Sequence, residues 1–537
     1  MRAMICASVV GFLFFLLCVS TSIAYCAAPE TDAVKLDSGM ISGETEGNVR
    51  IFRGIPYAAP PVGDLRWKPP QPPQSWTGVR QFTNFGPSCP QPQESSSSVY
   101  SEDCLTLNVW TPAAHPQAKL PVMVWIHGGG FNFGGTSLPE YDGKNLAAKG
   151  VVVVTVNYRL GPLGFMVHPL LDAESASGTS GNYGLLDQIA GLQWVQRNIA
   201  AFGGDPTQVT IFGQSAGSRS VSLHLLSPMT KGLFKGAIAE SGGPIIGSEY
   251  LSPSFDGNKA NVSKMGQELA RRLGSADAPD VLADMRAKSA EEVVKAAACS
   301  TSLFDDGLFF APVFDSWVLP DNPRTALAEG RIHAVPVITG STKNEGALYL
   351  LQEKEITRQK YREFFESRFG QSVGQAMEMF PAPRDKDIGS AIDNVIAVAA
   401  NARPAQLTAQ AIERKGKAAY VYQFTRVPQT ALARKAGAHH GVDLAYVFGN
   451  MTEAGAYDEV DRKLSQAVMQ YWVNFARTGN PNGNGLPIWP EYRTQEDLTM
   501  EFGDKLKINK DLFKPEIRFI GEVDSLKYPS ATVPSIK

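Results

Sequence analysis

The stretch Val209-Thr210-Ile211-Phe212-Gly213-Gln214-Ser215-Ala216-Gly217-Ser218-Arg219-Ser220-Val221-Ser222-Leu223-His224-Leu225-Leu226 decides the fold. Four β-formers, Val209 to Phe212, run into a serine set between two glycines. Beyond it Val221, Leu223, Leu225 and Leu226 suit the buried side of a helix. Gly213-x-Ser215-x-Gly217 between a strand and a helix reads as a nucleophile elbow, a turn sharp enough to hold the serine hydroxyl out of the sheet. A side chain at either glycine would strike the backbone crossing beside the turn. A hydroxyl held there stands at a helix N-terminus, where the dipole favours developing negative charge. The same spacing occurs in plain structural turns, so the flanking strand and helix carry the reading.

Working outward, short apolar runs read as strands at Val122–Ile126, Val151–Val156, Ala237–Ala239, Val335–Thr339 and Tyr420–Phe424. They are continuous rather than alternating, as expected of strands covered on both faces. Between several of them lie helical patterns. In residues 185–202, Leu185, Ile189, Leu192, Val195 and Ile199 recur at helical spacing; in 462–478, Leu464, Val468, Tyr471, Trp472 and Phe475 do so. The expected architecture is an open, mostly parallel α/β sheet with helices on both faces. Helical insertions are expected near 245–330 and 346–415.

A second glycine-rich segment follows the Val122–Ile126 run: His127-Gly128-Gly129-Gly130-Phe131. Glycines in series let N–H groups face a cavity without side chains in the way. The N–H groups of Gly129, Gly130 and Ala216 are candidates to hold the oxyanion of a tetrahedral intermediate.

Composition narrows the classes. Hydrophobic residues at 43% and charged residues at 19% are ordinary for a globular chain, and a formal charge of −3 argues for neither nucleic acid nor an anionic membrane as partner. Arg2, the apolar run Val9–Val19 and small residues around Ala24 and Ala27-Ala28 read as a secretory signal over residues 1–24, cleaved between 24 and 28. The run is too short to span a bilayer. The expected product is a secreted or periplasmic protein with one catalytic domain over 29–535 and no membrane association after cleavage. Cys6 and Cys18 leave with the signal. Export favours a bridge between the close pair Cys89 and Cys104, leaving Cys299 as a free thiol.

The chain resembles the type-B carboxylesterases of the α/β-hydrolase superfamily, the group that includes the cholinesterases. Phe202-Gly203-Gly204-Asp205-Pro206 leading into Val209–Gly217 is similar to the family's serine signature, and Glu102–Trp110, which holds Cys104, to its second signature. The stretches 52–67 (FRGIPYAAPPVGDLRW), 157–165 (NYRLGPLGF), 181–188 (GNYGLLDQ) and 472–483 (WVNFARTGNPNG) are similar to further landmarks. The resemblance implies an α/β-hydrolase fold with helical insertions around an active-site gorge, and hydrolysis of a small-molecule ester through an acyl-enzyme, without metal or organic cofactor. It implies Glu345, in Gly340–Gly346, as the acid. It implies His440, before Gly441, as the base, with His439 as the alternative. Ser241 resembles the family's supporting serine near the triad; a structural serine at a strand end is the other reading.

Two departures bear on substrate. Gln214 stands where many members carry glutamate, which removes one reason to expect a cationic substrate. Arg219 stands where a small or apolar residue is usual; it offers positive charge near the pocket for a carboxylate-bearing ester, or is paired inside the helix packing. Phe131 joins Gln214 and Arg219 as a candidate pocket residue. A narrow natural-product or polycarboxylate esterase (a mycotoxin ester, for example) and an amidase remain alternatives to a broad carboxylesterase. An adhesion-type relative lacking catalysis is disfavoured, because the serine, glutamate, histidine and glycine loop are all present.

Overall fold

The apolar runs become the centre of a large sheet. The computed structural model describes residues 33–92, 99–244, 248–251, 257–298, 302–304, 307–353 and 355–528. The expected signal and Cys299 lie outside them. Among the described residues the main sheet has eleven strands. They are β1 (Glu44–Glu46), β2 (Val49–Pro56), β3 (Thr106–Thr111), β4 (Leu120–Ile126), β5 (Val152–Val156), β6 (Gly204–Gln214), β7 (Gly236–Glu240), β8 (Val337–Thr342), β9 (Ala419–Phe424), β10 (Leu498–Phe502) and β11 (Leu506–Lys510). Their order is β11-β10-β9-β8-β7-β6-β4-β5-β3-β2-β1. Pairing is parallel from β10 to β5 and antiparallel at both ends. A small second sheet joins Val34–Lys35, Met40–Ser42 and Val79–Gln81.

Strand period places alternate residues in two cores. On β4, Val122, Val124 and Ile126 enter one apolar cluster and Met123 and Trp125 the other. Helix α1 (Tyr183–Asn198) buries Leu185, Ile189, Leu192 and Val195 in the first. Helix α6 (Glu459–Thr478) buries Leu464, Val468, Trp472 and Phe475 in the second. The sheet is thus covered on both faces, which is why its strands read as unbroken apolar runs.

Boundaries shift where local chemistry intervenes. The run expected at Val335–Thr339 forms a strand only from Val337, continuing to Thr342. Pro336 has no N–H for the ladder, although its carbonyl accepts from the Ala237 N–H at 3.1 Å. The helix expected to reach residue 202 ends at Asn198, and its last turn tightens into a 3-10 segment closed by Gly203 at φ +80°. The 462–478 helix starts earlier, at Glu459, because Asp458 accepts from the Val460 and Asp461 N–H groups. The antiparallel ends of the sheet were not expected. β11 is only partly buried along its length, and the edge pair β1–β2 is marked by charged residues rather than apolar runs.

Both insertions are helical. The first carries Lys259–Arg272, Val281–Ala287, Ala290–Ala297 and Pro323–Ala328. The second carries α3 (Ala347–Leu351), Arg358–Phe369, Val373–Met379, α4 (Ile388–Val395) and α5 (Arg403–Arg414), the last two joined by a π-helical stretch. Among the described residues no helix is long and apolar enough to cross a membrane.

Cys89 and Cys104 are bridged, with Cα atoms 5.1 Å apart and both side chains buried. Closing a 15-residue separation restricts the unfolded chain, an effect of ~3 kcal/mol in the chain-entropy model. Replacing both cysteines by alanine is therefore expected to lower the unfolding free energy by about that amount, seen as a lower urea midpoint with a steeper slope, since the freed unfolded chain exposes more surface.

Candidate active site

Strand β6 passes into helix α2 (Ala216–His224) through Ser215, whose backbone sits at φ 60°, ψ −124°. A non-glycine residue there carries strain of ~1–3 kcal/mol, so the surroundings must hold it. The Ser215 N–H donates to the Glu240 carbonyl at 2.9 Å, and the Ser215 carbonyl accepts from the Arg219 N–H at 2.9 Å. The glycines have the role expected of them. A Cβ on Gly217 would lie 1.9 Å from the Ile126 carbonyl oxygen, and one on Gly213 2.6 Å from the same oxygen.

The other two groups arrive on loops after β8 and β9. His440 Nε2 lies 2.7 Å from Ser215 Oγ, and its Nδ1 lies 2.5 Å from Glu345 Oε2. Glu345 is fully buried and its Oε1 accepts from the Thr342 N–H at 2.6 Å. Burial pushes its carboxyl up. The charge and hydrogen bond of His440, with help from Ser241 and the Thr342 N–H, more than offset this and hold it below the ordinary glutamate value. An ionised Glu345 fixes the tautomer: Nδ1 carries the proton and donates to Oε2, leaving Nε2 to accept from the serine hydroxyl. Ser241, buried at φ 56°, turns its hydroxyl to Glu345 near enough to help lower the carboxyl, though short of a well-formed hydrogen bond. Gln214 Nε2 is 3.2 Å from His440 Nε2. The His439 ring does not engage Glu345; its Nδ1 is 2.9 Å from the His440 carbonyl.

Asn344 ties the two loops together. Its N–H donates to the Ala438 carbonyl at 2.9 Å, its side-chain oxygen accepts from the Ala438 N–H at 3.1 Å, and it forms a β-bridge with His439. On the other side, Asp393 of α4 accepts from Asn344 Nδ2 at 2.9 Å and from the Gly346 N–H at 2.7 Å. Burial pushes the Asp393 carboxyl up to about 6. Asp393 escaped the reading of the sequence, since nothing in an isolated helical pattern marks which residue faces a distant loop.

The N–H groups of Gly129, Gly130 and Ala216 have no acceptor among the described residues. All three residues line a cavity of about 390 Å³ together with Ser215 and His440. Gln214, Arg219 and Phe131, the candidate pocket residues, line it too. Further walls come from Ser248, Phe309, Leu348 and Tyr349 of the insertions and from Leu432 and Leu444 on the segment that carries His440; the sequence alone did not single them out because their placement depends on how these segments pack.

A parallel sheet that delivers a serine through a strained elbow, and meets it with a histidine and a carboxylate from loops after later strands, is an α/β-hydrolase. The carboxylesterase family profile matches residues 30–520. The chain is 36% identical over 498 residues to the fumonisin B1 esterase of Sphingopyxis macrogoltabida, covering 89% of this chain and 88% of that one. It is 37% identical over 488 residues to the para-nitrobenzyl esterase of Bacillus subtilis (strain 168), covering 88% and 95%. A solved PNB esterase superimposes with a TM-score of 0.79 at 35% identity, covering 91% of this chain and 99% of that one. The chain belongs to the carboxylesterase family and is a carboxylic-ester hydrolase.

Gly217→Ala puts a methyl group against a fixed carbonyl. The elbow must deform, so a loss of ester turnover exceeding about 100-fold is expected, together with a lower unfolding temperature in thermal melts.

Proposed function

We propose that this carboxylesterase works by covalent catalysis with Ser215 as nucleophile, His440 as proton carrier and Glu345 as the group that orients the imidazole. The observation that carries this reading is the pair of contacts on one ring, 2.7 Å from Nε2 to Ser215 Oγ and 2.5 Å from Nδ1 to Glu345 Oε2. A serine hydroxyl at its free pKa is a poor nucleophile and needs such a base beside it. Ser215 Oγ attacks the ester carbonyl as its proton passes to His440 Nε2. The oxyanion is held by the N–H groups of Gly129, Gly130 and Ala216, each such donor contributing ~10²–10³ in rate. His440 then returns the proton to the departing alcohol, and the acyl group stays on Ser215. Water, deprotonated by the same ring, attacks the acyl-enzyme and releases the acid. Glu345 stabilises the imidazolium without accepting the proton. Ser241 supports the charge on Glu345.

Ser215→Ala is expected to lower kcat about a millionfold, and Glu345→Gln about 10⁴-fold by allowing the wrong tautomer, while an organophosphonate labels only the wild-type serine. Retention of turnover or of labelling in Ser215→Ala would falsify the assignment. The depressed Glu345 carboxyl also links to stability. Its contribution is complete above the ordinary value of 4.5 and is lost as pH falls through its lower folded value. Acid unfolding of Glu345→Gln is therefore expected to be shallower in that range.

We also propose that residues 1–24 direct export and that 29–535 act as one catalytic domain. The Cys89–Cys104 bridge supports an oxidising destination. Protein recovered from the periplasm or medium is expected to begin between residues 25 and 29; an intact N-terminus there would remove the proposal.

A further inference from the structure

Arg219 is 8% exposed and forms part of the cavity wall. It lies one helical turn beyond Ser215, and both residues line the same cavity. Its recorded side-chain partner is the Ser248 hydroxyl, which accepts from Nη1 at 2.5 Å. A guanidinium has five donors, and this partner is neutral. Among the described residues no carboxylate reaches it.

The other buried arginines behave differently. Arg66 pairs with Glu102, Arg159 with Asp187, Arg324 with Glu249 and Arg403 with Asp524, while Arg368 donates to main-chain carbonyls. The two carboxylates whose charge Arg219 feels are both engaged elsewhere, Glu249 by Arg324 and Glu345 by His440. Burying an uncompensated charge is unfavourable by several kcal/mol. A cation kept charged at a cavity wall, with donors to spare, is suited to a ligand that brings the missing negative charge.

We propose that Arg219, with the Ser248 hydroxyl, forms a carboxylate-binding subsite for the acyl part of the substrate. The preferred esters then carry a free carboxylate on the acid. This rests on Ser215 being the nucleophile. The acyl side is assigned because Arg219 lies on α2, the helix that Ser215 caps and that bears the Ala216 N–H. The leaving alcohol instead lies at His440 Nε2, beside Gln214, Gly441 and Leu444. Tyr349 faces the same space, its hydroxyl pushed up by burial and eased back by Arg219.

The test compares kcat/KM for p-nitrophenyl glutarate, with one free carboxylate, and neutral p-nitrophenyl valerate. A third ester carries its carboxylate on the alcohol instead. Wild type is expected to prefer the charged acyl group by at least about tenfold, and Arg219→Gln to reduce that preference by ~30–100-fold, the scale of a partly buried charge-assisted pair. Arg219→Lys is expected to restore part of it. An unchanged ratio in Arg219→Gln, or a wild type that disfavours glutarate, overturns the proposal; preference for the alcohol-side carboxylate overturns the acyl assignment. Should Arg219→Gln fail to fold, wild type still decides: glutarate must inhibit valerate-ester hydrolysis competitively and better than butyrate, and equal inhibition overturns the subsite. Turnover by Ser215→Ala is read separately, so failure of the nucleophile assignment is distinguishable from failure of the subsite.

Discussion

The site depends on how closely strand β4 passes the elbow. The Ile126 carbonyl lies so near Gly213 and Gly217 that neither could carry a side chain. That approach follows from parallel pairing of β4 with β6, Trp125 beside Phe212 and Ile126 beside Gly213. One strand pair therefore sets two things. It fixes the strained backbone of Ser215, and it launches the glycine loop bearing Gly129 and Gly130 from the adjacent strand end. The distance from hydroxyl to amide donors is settled by sheet geometry rather than by side chains. The strain is held by the Glu240 carbonyl and by the packing of Trp125, Phe212 and Phe448 beneath the turn.

Charge in the site is arranged on the same frame. Glu345 is fully buried, yet its contacts with His440 and the Thr342 N–H keep it ionised. Among the described residues Asp393 has no cation paired with it, and burial raises its carboxyl. Two carboxyls close together thus take opposite shifts because one has an imidazole partner and the other has neutral amides. Arg219 shows the converse case, a buried cation facing a neutral hydroxyl. These differences come from neighbours, not from residue type.

Much of the site was legible because its parts fall at strand ends. Ser215, Glu345 and the Gly129–Gly130 pair each follow an apolar run directly, and Gly441 marks the histidine. The choice of Glu345 and His440 leaned on a family resemblance, since glutamates and histidines at strand ends are otherwise unremarkable. Position 344 illustrates the limit. The work of the asparagine there as a tie between two loops appears only when both are folded. Ser248, Tyr349 and Asp393 were invisible for the same reason, because each acts through an insertion whose packing no local period encodes. The antiparallel strands were missed where charged edge residues broke the apolar pattern.

The Asn344 tie has a mechanical consequence. The loops that carry Glu345 and His440 are joined by main-chain bonds and one side-chain amide of Asn344, all uncharged, so salt does little to separate the loops. The two loops are thereby held to one another, while Ser215 is held by its own strand and by the Glu240 carbonyl.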